Sequence, residues 1–158
     1  REKIESTEVY NCAEDSATVG LNVIFKKAMD EGLRVHLSGH GADEILSDYG
    51  ADGTAFSKAS QLRGRFPNEL ETVFPWRNFF GGTNALFISK EEGVGSLYGI
   101  ENRYPFLDVN VVQEFLYLKP ELKNQKYKGP LHALMERFSY PFDENVKIGF
   151  KPKKNLVL

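Results

Sequence analysis

The chain has very little cysteine, since Cys12 is the only one among 158 residues. That scarcity excludes a disulfide framework or a cysteine-based zinc site within this chain and fits a reducing compartment, so we expect a cytoplasmic protein. No apolar run approaches the roughly 20 residues that a membrane span needs. A net charge of −2 and a pI of about 6.0 give no electrostatic basis for binding nucleic acid or an anionic membrane.

An initiator methionine is also lacking, because the sequence starts at Arg1, and no signal or transit segment is recognisable. We therefore expect the chain to be a fragment of a larger protein. With 41% hydrophobic residues, it is long enough for one domain with a real core.

The beginning of the chain predicts a helix followed by a strand. Apolar residues recur at helical spacing between residues 16 and 31, and Gly32 is a typical helix stop. Residues 34–37, Arg-Val-His-Leu, then predict a short buried strand, with His36 as a core histidine. It is the only clear strand in the sequence, so its partners must lie outside the chain or be unrecognised.

The rest of the chain predicts helices and turns. Residues 49–82 indicate short helices joined by turns, with aromatic side chains that pack in a core rather than stack on bases. Residues 86–98 predict a helix interrupted at Gly93 and Gly95.

Two further helices are predicted near the end of the chain. Asp108 is a candidate N-cap, and Pro130 fits the first turn of a second helix. Each helix carries an apolar stripe that we expect to be core: Val111, Val112, Phe115 and Leu116 in the first, and Leu131, Leu134, Met135 and Phe138 in the second.

The most informative stretch is Ser-Gly-His-Gly-Ala-Asp-Glu at residues 38–44, directly after the strand. A strand that breaks into small residues before a helix leaves backbone N–H groups at the helix start, where anions bind. Gly39 and Gly41 let the main chain approach a ligand, because no Cβ intervenes. Asp43 and Glu44 could hold Mg²⁺ against a phosphate. The alternative is an ordinary structural turn with its carboxylates favoured by the helix dipole.

Two more stretches follow, Gly-Ile-Glu-Asn-Arg-Tyr-Pro-Phe-Leu-Asp at residues 99–108 and Asn-Val-Lys-Ile-Gly-Phe at residues 145–150. In this order the three motifs resemble those of the C-terminal, amide-forming domain of glutamine-dependent asparagine synthetases. That family reads Ser-Gly-(Glu/Gln)-Gly-(Ala/Ser/Gly)-Asp-Glu, then Glu-x-Arg-x-Pro-Phe-Leu-Asp, then Arg-x-Lys-x-Gly-Phe. The resemblance extends over residues 8–150.

The resemblance implies an α/β fold, namely part of an adenine-nucleotide α-hydrolase-like (PP-loop ATPase) domain that is mostly helical in this fragment. Residues 1–158 would form the C-terminal part of an asparagine-synthetase-like domain. Residues 8–50 would supply the strand, turn and helix of the nucleotide site, and residues 51–150 the mainly helical remainder.

The implied reaction is ATP-dependent and AMP-forming. Aspartate is activated as β-aspartyl-AMP with release of pyrophosphate, and ammonia then displaces AMP to give asparagine. The implied cofactors are ATP and Mg²⁺, and the implied substrates are aspartate and ammonia or glutamine. The expected partners are the missing N-terminal glutaminase and PP-loop segments of the same protein. A homodimer is a further possibility.

The resemblance also implies roles for single residues. Ser38 and Gly39 match positions that border the nucleotide, and Asp43 matches an aspartate near Mg²⁺ and pyrophosphate. The expected catalytic residues are His40, Glu101, Arg103 and Lys147.

Arg103 and Lys147 are cations suited to phosphate or to an oxyanion. For Arg103 the alternative is an ion pair with Glu101 or Asp108, and for Lys147 it is a solvated surface lysine. Glu101 could orient Arg103 or act on the substrate amine.

The chain departs from the family pattern at several positions. His40 stands in place of a glutamate tied to the amide-forming step; imidazole can accept a proton but does not reproduce a carboxylate's field. Asn145 and His132 replace arginines. The pyrophosphate loop Ser-Gly-Gly-x-Asp-Ser and the N-terminal cysteine are missing, so we expect residues 1–158 to be inactive alone.

Two alternatives stay open. The first is a related ligase that activates another carboxylate, as β-lactam synthetases and lasso-peptide cyclases do, and His40 gives it weight. The second is a non-catalytic domain that keeps the fold and binds a nucleotide or a partner.

Overall fold

The structure is a computed structural model that describes residues 16–49, 60–143, 150 and 152. It is mixed α/β and mostly helical, as the sequence predicts. Within the described residues, no helix is long and apolar enough to cross a membrane. The elements are α1 (Ser16–Asp30), β1 (Val35–Leu37), α2 (Ala42–Leu46), α3 (Arg77–Phe80), α4 (Gly82–Leu97), β2 (Glu101–Arg103), α5 (Val109–Tyr117), α6 (Pro120–Lys123) and α7 (Gly129–Arg137), with 3₁₀ turns at Leu70–Thr72 and Pro105–Leu107.

The two strands pair in parallel, with Val35 opposite Glu101 and Leu37 opposite Arg103. The Ser38 N–H donates to the Arg103 carbonyl over 2.8 Å and extends the ladder by one bond. The strand partner that the sequence left open thus lies within the chain, in the second motif. It was unrecognised because Glu-Asn-Arg carries two charges and no apolar alternation.

The two faces of the strand pair differ in burial. Val35 and Leu37 are 48% and 67% exposed, so the prediction of a buried strand is wrong for both. Side chains alternate along a strand, and α1 and α4 pack on the opposite face. There His36 meets the ring of Phe25 edge-on at 5.0 Å.

Three predicted helix boundaries are confirmed. Gly32, at φ +76°, follows α1 in the left-handed conformation expected of a helix stop. The Asp108 side chain accepts the N–H of Asn110 over 2.9 Å and caps α5. Pro130 lies in the first turn of α7.

Two helix predictions are wrong in part. Helix α4 is continuous through Gly93 and Gly95 and already begins at Gly82. Its glycines are not breaks: a Cβ on Gly95 would overlap the side chain of Asn102, so this glycine allows the close approach of β2.

The apolar stripe of α7 is largely not core. Leu131 packs against a buried cluster, whereas Leu134 and Phe138 are 49% and 69% exposed. Helical spacing fixes which residues share a face but not whether another element covers that face.

The chain divides into two compact units. The first contains Arg1–Ser38, Phe87–Arg103 and Asn145–Leu158, and the second contains Gly39–Leu86 and Tyr104–Glu144. The core of the first unit joins α1 to the later part of α4 and consists of Phe25, Val94, Tyr98 and Ile100.

The core of the second unit is aromatic. As predicted for residues 49–82, most of their described aromatic side chains pack together, although Phe74 and Phe80 are 41% and 75% exposed. The Asn124 side-chain amide binds the backbone of the core residue Phe66: it donates to the Phe66 carbonyl and accepts the Phe66 N–H, each over 2.8 Å. The buried members are Ile45, Leu46, Phe66, Trp76 and Phe115.

Candidate functional site

Six of the seven predicted site residues are described, and Lys147 lies outside the described residues. The six are distributed over both units. Ser38, Glu101 and Arg103 belong to the first unit, and Gly39, His40 and Asp43 belong to the second.

In the first unit, the first two motifs meet at one edge of the parallel strand pair. Ser38 directly follows β1 and Arg103 ends β2, and the backbone hydrogen bond between them is the last one of the strand pair at that edge. Both strands run in the same direction, so this is the carboxyl edge, where open α/β sheets bind ligands.

Arg103 and Glu101 form an ion pair on the exposed face of β2. The Arg103 Nε lies 2.8 Å from Glu101 Oε1, and both side chains are largely exposed. This geometry matches the ion-pair alternative for Arg103. An exposed pair contributes at most about 1 kcal/mol, so a bound anion can compete with Glu101 for the guanidinium.

A buried carboxylate that the sequence analysis did not identify holds Ser38. Glu91 on α4 is 1% exposed, and its Oε2 accepts the Ser38 hydroxyl over 2.7 Å. Its Oε1 lies 3.3 Å from His36 Nδ1. The Asn102 amide completes a ring, with Oδ1 3.2 Å from His36 Nδ1 and Nδ2 donating to the Glu91 carbonyl over 3.2 Å.

A weak pattern in the sequence does point to Glu91. It lies three residues before Val94 on α4 and seven residues before Tyr98, which directly follows the helix, and both of these are buried. A charged residue on an apolar stripe is unusual and needs partners when buried.

The serine, histidine and glutamate do not form a hydrolase triad. In such a triad the serine hydroxyl donates to the histidine, and the acid holds the other ring nitrogen. Here Ser38 donates to the carboxylate itself, and the same carboxylate faces His36. His36 is therefore not placed as the base that takes the Ser38 proton in such a triad.

In the second unit, Asp43 is held by two consecutive residues. Its Oδ1 accepts the Tyr127 hydroxyl over 2.5 Å and lies 2.9 Å from Lys128 Nζ. The Asp43 side chain is 35% exposed. Burial and the hydrogen bond to Asp43 raise the pKa of the Tyr127 phenol well above its ordinary value, so it stays a donor at neutral pH.

Glu44 is a capping residue. Its buried carboxylate accepts the Gly41 N–H over 2.8 Å and the hydroxyl of Tyr49. The Gly41 N–H is thereby used inside the protein, and α2 has only five residues. This arrangement gives little support to the idea that the start of α2 binds an anion.

His40 packs beside Tyr104 of the second motif, with nearly parallel rings whose centroids lie 6.5 Å apart. Both residues belong to the second unit. The first two motifs therefore also contact each other in this unit, at the position where the family pattern has a glutamate.

The described residues could hold Mg²⁺ only if phosphate groups of a substrate supplied some of its ligands. No group of three or more His, Cys, Asp or Glu side chains that could hold a metal ion occurs among them. Mg²⁺ is commonly bound through one or two carboxylates plus substrate phosphates and water. Asp43 can supply one such carboxylate, but Lys128 competes for it.

The second unit also contains an open pocket of about 560 Å³. Its lining is mixed polar and apolar and includes none of the six described site residues. The lining residues are Leu62, Arg65, Phe66, Pro67, Asn68, Pro120, Glu121 and Asn124.

Comparison of the chain with protein-family models, with curated proteins and with solved structures finds no match. The function must therefore be inferred from the residues of this chain and their geometry.

Proposed function

We propose that the chain is the C-terminal part of the synthetase domain of an ATP-dependent, AMP-forming amide ligase that makes asparagine from aspartate in the cytoplasm. The observation that carries this proposal is the hydrogen bond between Ser38 and Arg103 at the carboxyl edge of β1 and β2. It joins a residue matched to the nucleotide with one matched to phosphate or oxyanion charge, at an edge where such folds bind ligands.

In the first step, a side-chain carboxylate oxygen of aspartate attacks the α-phosphorus of ATP, and pyrophosphate leaves with the bonding electron pair. Negative charge grows on the leaving group, so cations nearby lower the barrier. Arg103 is suited to this role because its exposed pair with Glu101 can open, and Lys147 is proposed as a second cation. Mg²⁺ held at Asp43 would supply further charge neutralisation.

In the second step, the lone pair of ammonia attacks the acyl carbon of β-aspartyl-AMP. AMP leaves with the electrons of the acyl–oxygen bond, and the attacking nitrogen loses a proton. His40 can take that proton, since a neutral imidazole nitrogen is a proton acceptor. Ammonia would come from glutamine through the N-terminal glutaminase part of the same protein.

The test is an aspartate-dependent exchange of labelled pyrophosphate into ATP, measured on the natural full-length protein. We expect exchange with aspartate and none without it, and AMP and asparagine in equal amounts once ammonia is added. The 158-residue chain assayed alone should show neither. Absence of aspartate-dependent exchange in the full-length protein would overturn the proposal.

Asp43→Asn and Asp30→Asn form a matched pair for this assay. Asp30 lies on the surface and pairs with Lys26 over 3.0 Å, so the same chemical change there touches no candidate site. We expect Asp43→Asn to lower the exchange rate roughly a hundredfold and Asp30→Asn to leave it unchanged. Equal effects would remove Asp43 from the mechanism. Other carboxylic acids are tested in the same assay, and exchange that depends on one of them instead of aspartate would identify a related ligase.

A non-catalytic nucleotide-binding domain is the second candidate. The observation that favours it is that two predicted active charges are satisfied within their own units, Arg103 by Glu101 and Asp43 by Lys128. Binding of AMP without exchange for any of the acids tested would support this candidate.

A further inference from the structure

We infer that the open pocket of the second unit binds a free amino acid with an apolar side chain, whose carboxylate is held by Arg65 and whose ammonium group is held by Glu121. The pocket has a volume of about 560 Å³, within the range of roughly 300–1,000 Å³ that small-molecule sites occupy. None of the six described site residues lines it, so the inference is independent of the proposed function.

The two segments that line the pocket are joined by hydrogen bonds. One segment contributes residues 62 and 65–68, and the other contributes residues 120, 121 and 124. Asn124 bonds the N–H and the carbonyl of Phe66, each over 2.8 Å, and so ties the two segments together. Pro67 and Pro120 restrict their backbones further, since the proline ring fixes φ. A site that is ordered before the ligand arrives loses less entropy on binding.

Each of the two segments carries one charged lining residue, and the two charges are opposite in sign. Arg65 and Glu121 are both exposed. Within the part of the chain that the structure describes, neither side chain forms an ion pair or a hydrogen bond, with the other or with a third group. A guanidinium can hold a carboxylate through two parallel N–H···O bonds, and a carboxylate accepts the N–H groups of an ammonium. Both charges are therefore available to a ligand.

Opposite charges on one pocket favour a ligand that carries both. A simple anion is attracted by Arg65 and repelled by Glu121, and for a simple cation the two effects are reversed. A free amino acid has an α-carboxylate and an α-ammonium group at neutral pH and satisfies both residues.

The rest of the lining indicates the kind of side chain. Four of the other six lining residues are apolar, which suits an apolar side chain: Leu62, Phe66, Pro67 and Pro120. The Asn124 amide uses one Nδ2 proton on Phe66, and its second Nδ2 proton can donate to the ligand's carboxylate.

The experiment measures dissociation constants on the natural full-length protein by calorimetry. The ligands are leucine, phenylalanine, glycine and two leucine analogues that each lack one charge: 4-methylpentanoate without the amino group and 3-methylbutylamine without the carboxylate. We expect leucine or phenylalanine to bind with a dissociation constant of roughly 1 mM or lower. Glycine and both analogues should bind at least about tenfold more weakly.

Two results of this ligand series would overturn the inference. The first is the absence of saturable binding for both leucine and phenylalanine. The second is a one-charge analogue that binds as tightly as leucine, because the pocket would then not require both charges.

Substitution of the two charged residues tests their roles. We expect Arg65→Gln and Glu121→Gln each to weaken leucine binding about tenfold, because each loses a charge-assisted hydrogen bond. Arg63→Gln and Glu114→Gln are the matched controls, since both residues are exposed and lie outside the pocket lining. Leucine affinities in Arg65→Gln and Glu121→Gln equal to those of their controls would overturn the inference.

The two analogues assign each charge to its ligand group. Arg65→Gln should not weaken the binding of 3-methylbutylamine, which has no carboxylate, and Glu121→Gln should not weaken that of 4-methylpentanoate. The reverse pattern would contradict the assigned orientation. Should a variant not fold, as judged by circular dichroism, the ligand series on the wild type decides the question.

Failure of the inference and failure of the proposed function give different results. Leucine binding that Arg65→Gln leaves unchanged and that aspartate displaces would place leucine at the synthetase site; only the inference then fails. Leucine binding that depends on Arg65 and Glu121, in a protein without aspartate-dependent pyrophosphate exchange, would overturn only the proposed function.

Discussion

The phenol of Tyr127 donates to Asp43 Oδ1 over 2.5 Å and connects two residues that lie 84 positions apart in the sequence. Both belong to the second unit. The contact orients the Asp43 carboxylate of the first motif, and Tyr127 itself lies outside all three motifs.

Removing that phenol hydroxyl should weaken the second unit. We expect Tyr127→Phe to lower the free energy of unfolding by about 1 kcal/mol, because a hydrogen bond to a carboxylate is lost while the partial exposure of Asp43 allows water to compensate. Urea unfolding followed by the fluorescence of Trp76 measures this, since Trp76 is the only tryptophan and is buried in this unit. Tyr117→Phe is the control, as Tyr117 is 76% exposed. A loss no larger than in the control would show that the contact does not contribute to stability.

The two glycines of the first motif should respond differently to alanine. Gly41 has φ +95°, and a Cβ there would overlap the side chain of Leu107. We expect Gly41→Ala to cost about 2 kcal/mol or more in the free energy of unfolding. Within the described part of the chain, a Cβ on Gly39 would meet no atom within 4 Å apart from its chain neighbours, so Gly39→Ala should change stability by less than about 0.5 kcal/mol.

Gly39→Ala should nevertheless weaken AMP binding, because the added methyl group obstructs a ligand that approaches the main chain. Calorimetry with AMP, beside urea unfolding of the same protein, separates the two effects. Unchanged AMP affinity would remove Gly39 from the nucleotide site.

Stability should fall at alkaline pH because of Tyr49. Burial, and then the charge of Glu44, raise the pKa of its phenol above the ordinary value of 10.0. Above pH 10 the unfolded chain loses this proton while the folded protein keeps it, so the stabilisation is complete below pH 10 and is lost as the pH rises.

We expect the free energy of unfolding to decline by about 1.4 kcal/mol per pH unit for this group above pH 10. Urea unfolding at pH 8 and pH 11 measures the decline, which should be shallower in Tyr49→Phe by about that amount. The exposed Tyr140 provides the control, and Tyr140→Phe should follow the wild type. Identical declines in all three proteins would contradict the assignment.

His40→Glu should preserve or raise asparagine formation if His40 is a variant base of the amide-forming step. The substitution restores the carboxylate of the family pattern, and glutamate also accepts a proton. Asparagine made from aspartate, ATP and ammonia by the full-length protein is the measurement. Complete loss of asparagine formation would indicate that the protein catalyses a different reaction.

Local patterns predicted the elements that depend on neighbouring residues. Gly32 ends α1 and Asp108 caps α5, because both effects are set within one helical turn. The turn after β1 was likewise recognised from its own residues.

The parts that the sequence did not predict depend on contacts between distant segments. β2 is a strand because β1 pairs with it, and its three polar residues carry no strand pattern of their own. Tyr127 reaches Asp43 through the path of the intervening chain, which no local spacing encodes. Glu91 was identifiable only as a charge on an apolar stripe, and its partner Ser38 could not be inferred from that.

The paired hydrogen bonds between Asn124 and Phe66 make this core sensitive to chemical ageing. Spontaneous deamidation would replace Asn124 Nδ2, which donates to the Phe66 carbonyl over 2.8 Å, by an oxygen. Two oxygens would then face each other with a new negative charge beside an aromatic cluster. A preparation stored long enough to deamidate at this position would have a less stable second unit although its encoded sequence is unchanged. A mass increase of about 1 Da would identify the affected molecules.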